Sequence, residues 1–545
     1  MTQFGGERSV YDDEGLDPGA FWSTTNLAEA LPGVQTPLSW SLWRPVLEGS
    51  LRRGFAAVGA LERARVGDPA DPAMRIFGLF SGRAAGRIDF LGEKGDRLPG
   101  TSGAAIAEQF LGRLPDDFHS RGTLRRLPVI MARFPITFAT SARRVHAVHA
   151  EATRRWQRAV RGTPELSLHE VRREWVAARI WFADTFAAHA AVNFARVQPA
   201  YDAVLRLAAS AGHPELAGQV LAGQGTHAEL VMVEDLWELS RDRLSVAGFV
   251  ARHGYHGPLE GELASRVWRE EDGPVRLLAQ RYRSRADTDS PAEHARRLAE
   301  CTEDAARALV AAVPAVRRPP ARAVLAAADR LIGLRGVGKA AFLQAFDSCR
   351  ILARRAGTLL AADGVLDDRE DVFYLLDSEL LADRPPPPGI VADRRAERTR
   401  LEGLRLPSSW RGRPEIHAQR THAAQPACGP TGAPGSPALT GTGASPGVVE
   451  APARVVLEVD FAEVEPGEVL VAPVTDPAWA PIMFVSSALV VDIGGLLSHA
   501  AVVARELGIP CVMGVGDGTT RIRTGDLLRV DGTAGTVEVL RHAPS

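Results

Sequence analysis

Between residues 105 and 380 apolar side chains recur at i, i+3, i+4 and i+7, the spacing of one helical face. The spacing predicts helices over 145–160, 167–190, 201–211, 229–244, 321–332 and 340–361, with an earlier one over 38–58. The strongest start signal is Ser290-Pro291-Ala292-Glu293. Ser sits at the cap, Pro at the first helical position and Glu at the third, opening a helix to about residue 313. Glycine-flanked apolar runs at 77–80 and 87–90 predict short strands, and Pro32, Gly33 and Pro37 predict a structured loop before the first helix. A stiff Pro/Gly break at 384–389 precedes a charged helix over 393–404. Residues 408–443 then lose all periodicity. Beyond them the period drops to two, predicting strands at 453–457, 469–473, 488–492 and 511–515 and a hairpin of 527–530 with 536–540. The one helix expected in this part begins at His499. The fold class read from this pattern is α+β and multidomain. Residues 1–20 are expected to be disordered, 21–405 to form a large, mostly α-helical domain, 406–437 a flexible linker and 438–541 a small α/β domain.

Composition narrows the function classes. The 545 residues suggest three or four domains, and a formal net charge of −2 gives no reason to expect a nucleic-acid or membrane-surface partner. No apolar run reaches membrane-spanning length and the N-terminus lacks a signal core, so a soluble cytoplasmic protein is the expectation. The four cysteines, Cys301, Cys349, Cys428 and Cys511, have no metal-type spacing and read as free thiols in a reducing compartment; no metal site is expected. Arginine supplies nearly all the positive charge, which makes the only lysines, Lys94 and Lys339, conspicuous.

Chemistry concentrates in Gly494-Gly495-Leu496-Leu497-Ser498-His499-Ala500, which runs into a helix stopped by Gly508 and Pro510. A Ser-capped helix start offers free N–H groups and the positive end of the dipole, where an anion such as phosphate is held. An imidazole there is placed to accept a phosphoryl group as a nucleophile. A lone histidine at a helix start is more often structural, so the reading rests on its surroundings. The string from Gly333 to Lys339 approaches a phosphate-loop pattern but ends in Ala340, without the metal-binding hydroxyl, and follows a helical run.

Five stretches carry a family resemblance: 443–455, 467–473, Thr475-Asp476-Pro477 with Trp479 and Pro481, 494–510, and Val530-Asp531-Gly532. In this order they resemble the swivelling phosphohistidine domain of the phosphoenolpyruvate-utilising enzymes, over about 438–540. The resemblance implies that His499 carries the phosphoryl group, with Ser498, Gly494, Gly495 and Ala500 around the phosphate. Thr475 and Asp476 match a family loop, either as a turn or as a phosphate contact. Upstream, 26–33 with 36–38, 254–262 with Trp268-Arg269-Glu270, and 366–374 resemble the helical substrate domain of rifampin phosphotransferases. By that resemblance Arg335 and Lys339 are the cations facing the phosphoryl group, as in a family Arg-Glu-x-x-Lys motif.

The departures are specific. Gly336 stands where the motif has Glu, removing a carboxylate that would orient or deprotonate an acceptor hydroxyl. Tyr255 and His256 stand where the family has His and Arg. His253, His256, Glu260 and Glu262 are the acceptor-site candidates that remain, each equally readable as a structural hydrogen-bonding group. Trp40, Trp43, Trp175, Trp181 and Phe182 read as core or as the lining of an apolar pocket. The stretch before Phe21 is too short for a nucleotide-binding domain, so the expectation is a carrier and an acceptor domain without a donor site. No cofactor is then expected on this chain; ATP and magnesium enter through a separate ATP-grasp protein, and the acceptor is a hydroxyl of a small molecule, rifampin-like or another secondary metabolite. Two other readings stand beside this one: a nucleotide-independent lyase or dehydratase using the same histidine, and a non-catalytic metabolite-binding paralogue.

Overall fold

The computed structural model describes residues 9–99, 101–111, 118–221, 227–418, 438–457, 464–475, 479–495 and 498–543. At its centre lies the helix Leu334–Ala362, packed against Leu127–Gly162 and Leu168–Val192, with Pro37–Ala57 covering the second of these. Aromatic side chains fill the junction. The Trp43 ring stands edge-on to Phe182 at 4.8 Å and tilted against Phe346 at 5.0 Å. Trp40, Trp43, Trp175 and Phe182 are all buried there, so they are core and line no open pocket. Each contributes about 2–3 kcal/mol of apolar burial. Trp181 packs at the edge of the same cluster under the Arg155 guanidinium.

A second bundle is built from Gln198–Ser210, Leu216–Leu221, Pro291–Ala312 and Arg318–Ile332 around Val204, Leu309 and Leu325. Ser290 caps its helix by accepting from Glu293 N at 3.3 Å. Ser167 does the same for Leu168–Val192 in a reciprocal capping box with Glu170.

Several expectations are corrected. Residues 9–20 are ordered: Tyr11 is fully buried and its hydroxyl donates to the Arg394 carbonyl at 2.8 Å. Polar composition misled because one aromatic anchor and the Asp12 and Asp13 carboxylates, which accept from Ser81 N and Leu79 N, hold this segment down. Thr25–Ala30 forms a short helix before Pro32 where a loop was expected. The second strand of the 77–90 region is Arg83–Arg87, and residues from Ile88 are helical. Part of the expected linker is strand: Ser409–Arg411 pairs with Phe21–Ser23, which also pairs with Arg83–Arg87. His417–Ala418 is also strand, paired with Leu404–Arg405, and residues 419–437 of the expected linker, including Cys428, lie outside the described residues.

The C-terminal part is an eight-stranded sheet. Its order is Leu439–Thr440, Thr536–Arg541, Leu527–Asp531, Val448–Val455, Val469–Ala472, Ala488–Val491, Cys511–Met513 and Thr442–Ser445. The four strands from Val448–Val455 to Cys511–Met513 run parallel, and the flanking pairs are antiparallel. Val469–Ala472 and Ala488–Val491 are buried at every position, which explains their continuous apolar sequence. Besides His499–Leu507, two further helices occur where one was expected, Ala480–Val485 and Gly518–Arg521. The first escaped notice because it is apolar on every face.

That helix is apolar all round because it sits between the two parts of the molecule. Phe484 meets Tyr282 at 5.1 Å, His294 at 5.6 Å and Trp237 at 6.4 Å, and lies under the Arg285 guanidinium. Tyr282 Oη donates to the Pro481 carbonyl at 3.0 Å, and Arg285 Nη1 donates to the Phe484 carbonyl at 3.1 Å. Truncating this knob removes about 3 kcal/mol of packing from the docking surface. Phe484→Ala is therefore expected to release the sheet domain, read as a larger radius of gyration in small-angle scattering with unchanged circular dichroism. An unchanged radius would contradict a docking surface centred on Phe484.

Candidate functional site

The helix His499–Leu507 starts where the chain leaves the carboxyl end of Ala488–Val491, the edge of a parallel sheet at which ligands are commonly held. Gly494 makes the turn possible. Its φ of 153° is one that L side chains rarely adopt, and a Cβ there would also have to displace the Met513 methyl group. Ser498 N donates to the Gly495 carbonyl at 3.0 Å, and Ser498 Oγ accepts from Ala501 N at 3.4 Å, capping the helix. Ala500 is buried beneath the first turn. Gly508, with φ 63°, ends the helix in a left-handed C-cap. The backbone N–H groups of His499 and Ala500, at the head of this turn, have no intrahelical acceptor. Leu496, Leu497, Asp476 and the His499 side chain lie outside what the structure describes. Thr475, at the end of the neighbouring parallel strand, is buried with its Oγ1 unpartnered among the described residues.

Arg335 and Lys339 lie one turn apart at the start of Leu334–Ala362, both half-buried. The near-match to a phosphate loop is thus helix, and Gly336 and Gly338 are helical. Gly338 has a packing reason: a Cβ there would stand 2.6 Å from His189 Nδ1. The His189 ring is held between Phe186 and Phe342, with centroids at 6.0 and 5.2 Å. Burial, then the charges of Arg335 and Lys339, push its pKa down to about 3, so the ring is neutral. Among the described residues Arg335 makes no hydrogen bond or ion pair. Arg335 and Lys339 thus lie about the neutral His189 ring. Sequence reasoning did not single out His189. Its only local signal is an i, i+4 spacing to Asn193, where the helix widens into one π turn, Asn193–Val197.

The four remaining acceptor-site candidates separate. Glu262 is wholly committed: its carboxylate accepts from Thr36 N at 2.9 Å, Thr36 Oγ1 at 2.7 Å, Ser39 Oγ at 2.6 Å and Ala264 N at 2.9 Å. It joins 26–38 to 254–262, two stretches the sequence left separate. Trp43 Nε1 adds a hydrogen bond to the Gly261 carbonyl at 2.8 Å. Glu262 is therefore a structural clamp, with three of these donors on Oε1 and one on Oε2. His253 Nε2 pairs with Asp235 Oδ2 at 2.7 Å, and Asp235 also accepts from Arg252 Nη1 at 2.8 Å. Burial outweighs that carboxylate and holds the His253 pKa down at about 4. His256 Nδ1 is hydrogen-bonded to Glu260 Oε1, while Glu260 Oε2 is buried and unpartnered among the described residues. His256 packs on Tyr255, with ring centroids 4.2 Å apart, and Tyr255 shares a core cluster with Leu343, one turn beyond Lys339. The His256–Glu260 pair thus lies further along the helix that carries the cations. Below it Asp347 accepts from Arg269, Arg350 and Trp156; burial raises its pKa, but the two guanidinium groups win and hold it at about 2.

Two stability effects follow. Glu262→Ala removes the acceptor of Thr36 N, Ser39 Oγ and Ala264 N, while Thr36 Oγ1 keeps Ser39 Oγ as an acceptor, and is expected to cost about 3 kcal/mol in urea unfolding; a change below about 1 kcal/mol would contradict the clamp. Unfolded imidazole takes its proton near pH 6.5, whereas folded His253 takes it only near pH 4. Over that window the unfolded chain binds more protons, so this group removes stability as pH falls through it. The urea midpoint of His253→Gln is expected to change less between pH 7 and pH 4 than that of wild type, and equal slopes would contradict the assignment.

Comparison with known proteins bears on both parts. Residues 464–535 match the mobile domain of PEP-utilising enzymes, and residues 201–336 match the fourth domain of rifampicin phosphotransferase. An uncharacterized protein of Mycobacterium tuberculosis is 30% identical over 97% of this chain and 63% of its own length. This chain therefore spans less than two thirds of that relative. Rifampicin phosphotransferase of Streptomyces sviceus is 39% identical over 33% of this chain and 20% of its own length. The Bacillus subtilis enzyme of the same name is 35% identical over 34% of this chain and 21% of its own. No helix among the described residues is long and apolar enough to cross a membrane. Over these regions the chain resembles the phosphoenolpyruvate-utilising enzymes, and among them the rifampicin phosphotransferases.

Proposed function

We propose that this chain is a phosphotransferase component in which His499 carries a phosphoryl group to a hydroxyl of a small molecule held in the helical domain. In the charging step an imidazole nitrogen attacks a phosphorus of ATP, a P–N bond forms and the P–O bond to the departing phosphate-bearing group breaks. In the delivery step the acceptor oxygen attacks phosphorus, the P–N bond breaks and its electron pair returns to the ring. The acceptor proton passes to a base, for which the His256–Glu260 pair is the candidate. Arg335 and Lys339 stabilise charge on the transferred group. Charging is assigned to an ATP-grasp protein with its magnesium, and the acceptor is rifampin-like or another secondary metabolite in a cytoplasmic setting.

The observation that carries this reading is the Ser-capped, Gly494-dependent helix start at His499, in a segment similar to the mobile domain, within one chain with the Arg335–Lys339 cluster. A second reading draws on Gly336: with no carboxylate beside the cations, His499 would serve as acid or base in a nucleotide-independent elimination.

Radiolabelled ATP supplied with an ATP-grasp protein is expected to give acid-labile, base-stable label that His499→Ala abolishes. Arg335→Ala and Lys339→Ala are expected to label normally but discharge to acceptor about 100-fold more slowly. Label that survives in His499→Ala would overturn the proposal. Turnover of a hydroxylated metabolite without nucleotide, lost in His499→Ala, would favour the elimination instead.

A further inference from the structure

His189 is a group the sequence did not single out and the reaction above does not use. The Asn193 amide nitrogen lies 2.9 Å from His189 Nε2 and 2.9 Å from the His189 carbonyl oxygen. An amide nitrogen only donates, and its approach to the carbonyl fixes which end of the amide is nitrogen. Nε2 is therefore the accepting nitrogen, and the proton of the neutral ring sits on Nδ1. That Nδ1–H is buried and has no acceptor among the described residues. It faces Gly338, in the turn that separates Arg335 from Lys339. A buried donor without an acceptor costs about 1–3 kcal/mol. Here it stands beside two cations, and an acceptor entering this turn is favoured by their charge as well.

We propose that His189 is the third donor of an anion site formed with Arg335 and Lys339, its Nδ1–H directed at an oxygen of a phosphoryl group. Asn193 is the positioning residue that fixes the tautomer, and the π turn that begins at Asn193 sets the amide under the ring. Gly338 is the clearance that lets the ring reach this turn. The proposal rests on the reading of Arg335 and Lys339 as the phosphoryl-facing cations. It adds a neutral donor that leaves the net charge of the site unchanged. A third cation would compete with discharge by holding the product phosphate, whereas a neutral imidazole orients an oxygen without that penalty.

The test uses the full chain, histidine-labelled with nitrogen-15, and inorganic phosphate as the probe. In free protein the His189 ring is expected to be the Nδ1–H tautomer, and its Nδ1 resonance is expected to move on phosphate titration. His189→Phe keeps the contacts to Phe186 and Phe342 and is expected to weaken phosphate binding about fivefold, the loss of one hydrogen bond. Asn193→Ala leaves the ring in place but frees its tautomer, and is expected to weaken binding in the same direction. An Nδ1 resonance that ignores saturating phosphate, or binding unchanged in both variants, overturns the proposal. Labelling of His499 in the same His189→Phe protein separates the two claims. Normal label with unchanged phosphate binding removes only the role of His189; absent label in wild type removes the carrier reading and leaves the phosphate result standing.

Discussion

Gly338 allows Leu334–Ala362 to lie against Leu168–Val192, because a single methyl there would stand 2.6 Å from the His189 ring. Much of the helical half depends on that close approach. It seats Phe342 and Phe346 among Phe182, Phe186 and Trp43, which makes the aromatic core continuous. The same helix then presents Arg335, Lys339 and, two turns further on, Asp347 at fixed intervals. Structural and chemical roles are thus stacked along one helix. Asp347 is paired with two guanidinium groups and belongs to the core, while Arg335 has no counter-ion among the described residues.

The sheet domain is held by a constraint of a different kind, an inserted aromatic knob. Phe484 inserts between Tyr282, Trp237 and His294, yet the polar contacts around it are few and mostly to backbone carbonyls. Arg505, in the helix that His499 opens, reaches Tyr201 Oη at 3.3 Å. The interface is mainly apolar, one hydrophobic cluster running from Met232 and Trp237 through Phe484 to Ala501.

Legibility in the sequence followed the range of the interactions. Local rules sufficed for the helix at Ser290-Pro291, whose cap is the expected Ser–Glu pair, and for His499–Leu507, whose Gly494, Ser498 and Gly508 each act within a few residues. Long-range contacts escaped. Tyr11 looks like part of a polar tail until it meets Arg394, and Ser409–Arg411 looks like linker until it pairs with Phe21–Ser23. Ala480–Val485 has no polar face because it is buried between two domains. Glu262 and His256 were indistinguishable as candidates by type and spacing. Only Thr36 and Ser39, more than 220 positions away, reveal that Glu262 is held as a structural clamp. His189 became visible only beside Gly338, because a histidine in the middle of a helix carries no motif of its own.

The central claim is that phosphate resides on His499 and leaves it through the Arg335–Lys339 cluster. Its most direct test is site-resolved mass spectrometry of the protein isolated under alkaline quench from cells carrying wild type or Arg335→Ala. The account predicts phosphohistidine at His499 in both, with higher occupancy in Arg335→Ala because discharge is blocked. Phosphate on a different histidine, or equal occupancy at His499 in the two proteins, would contradict it.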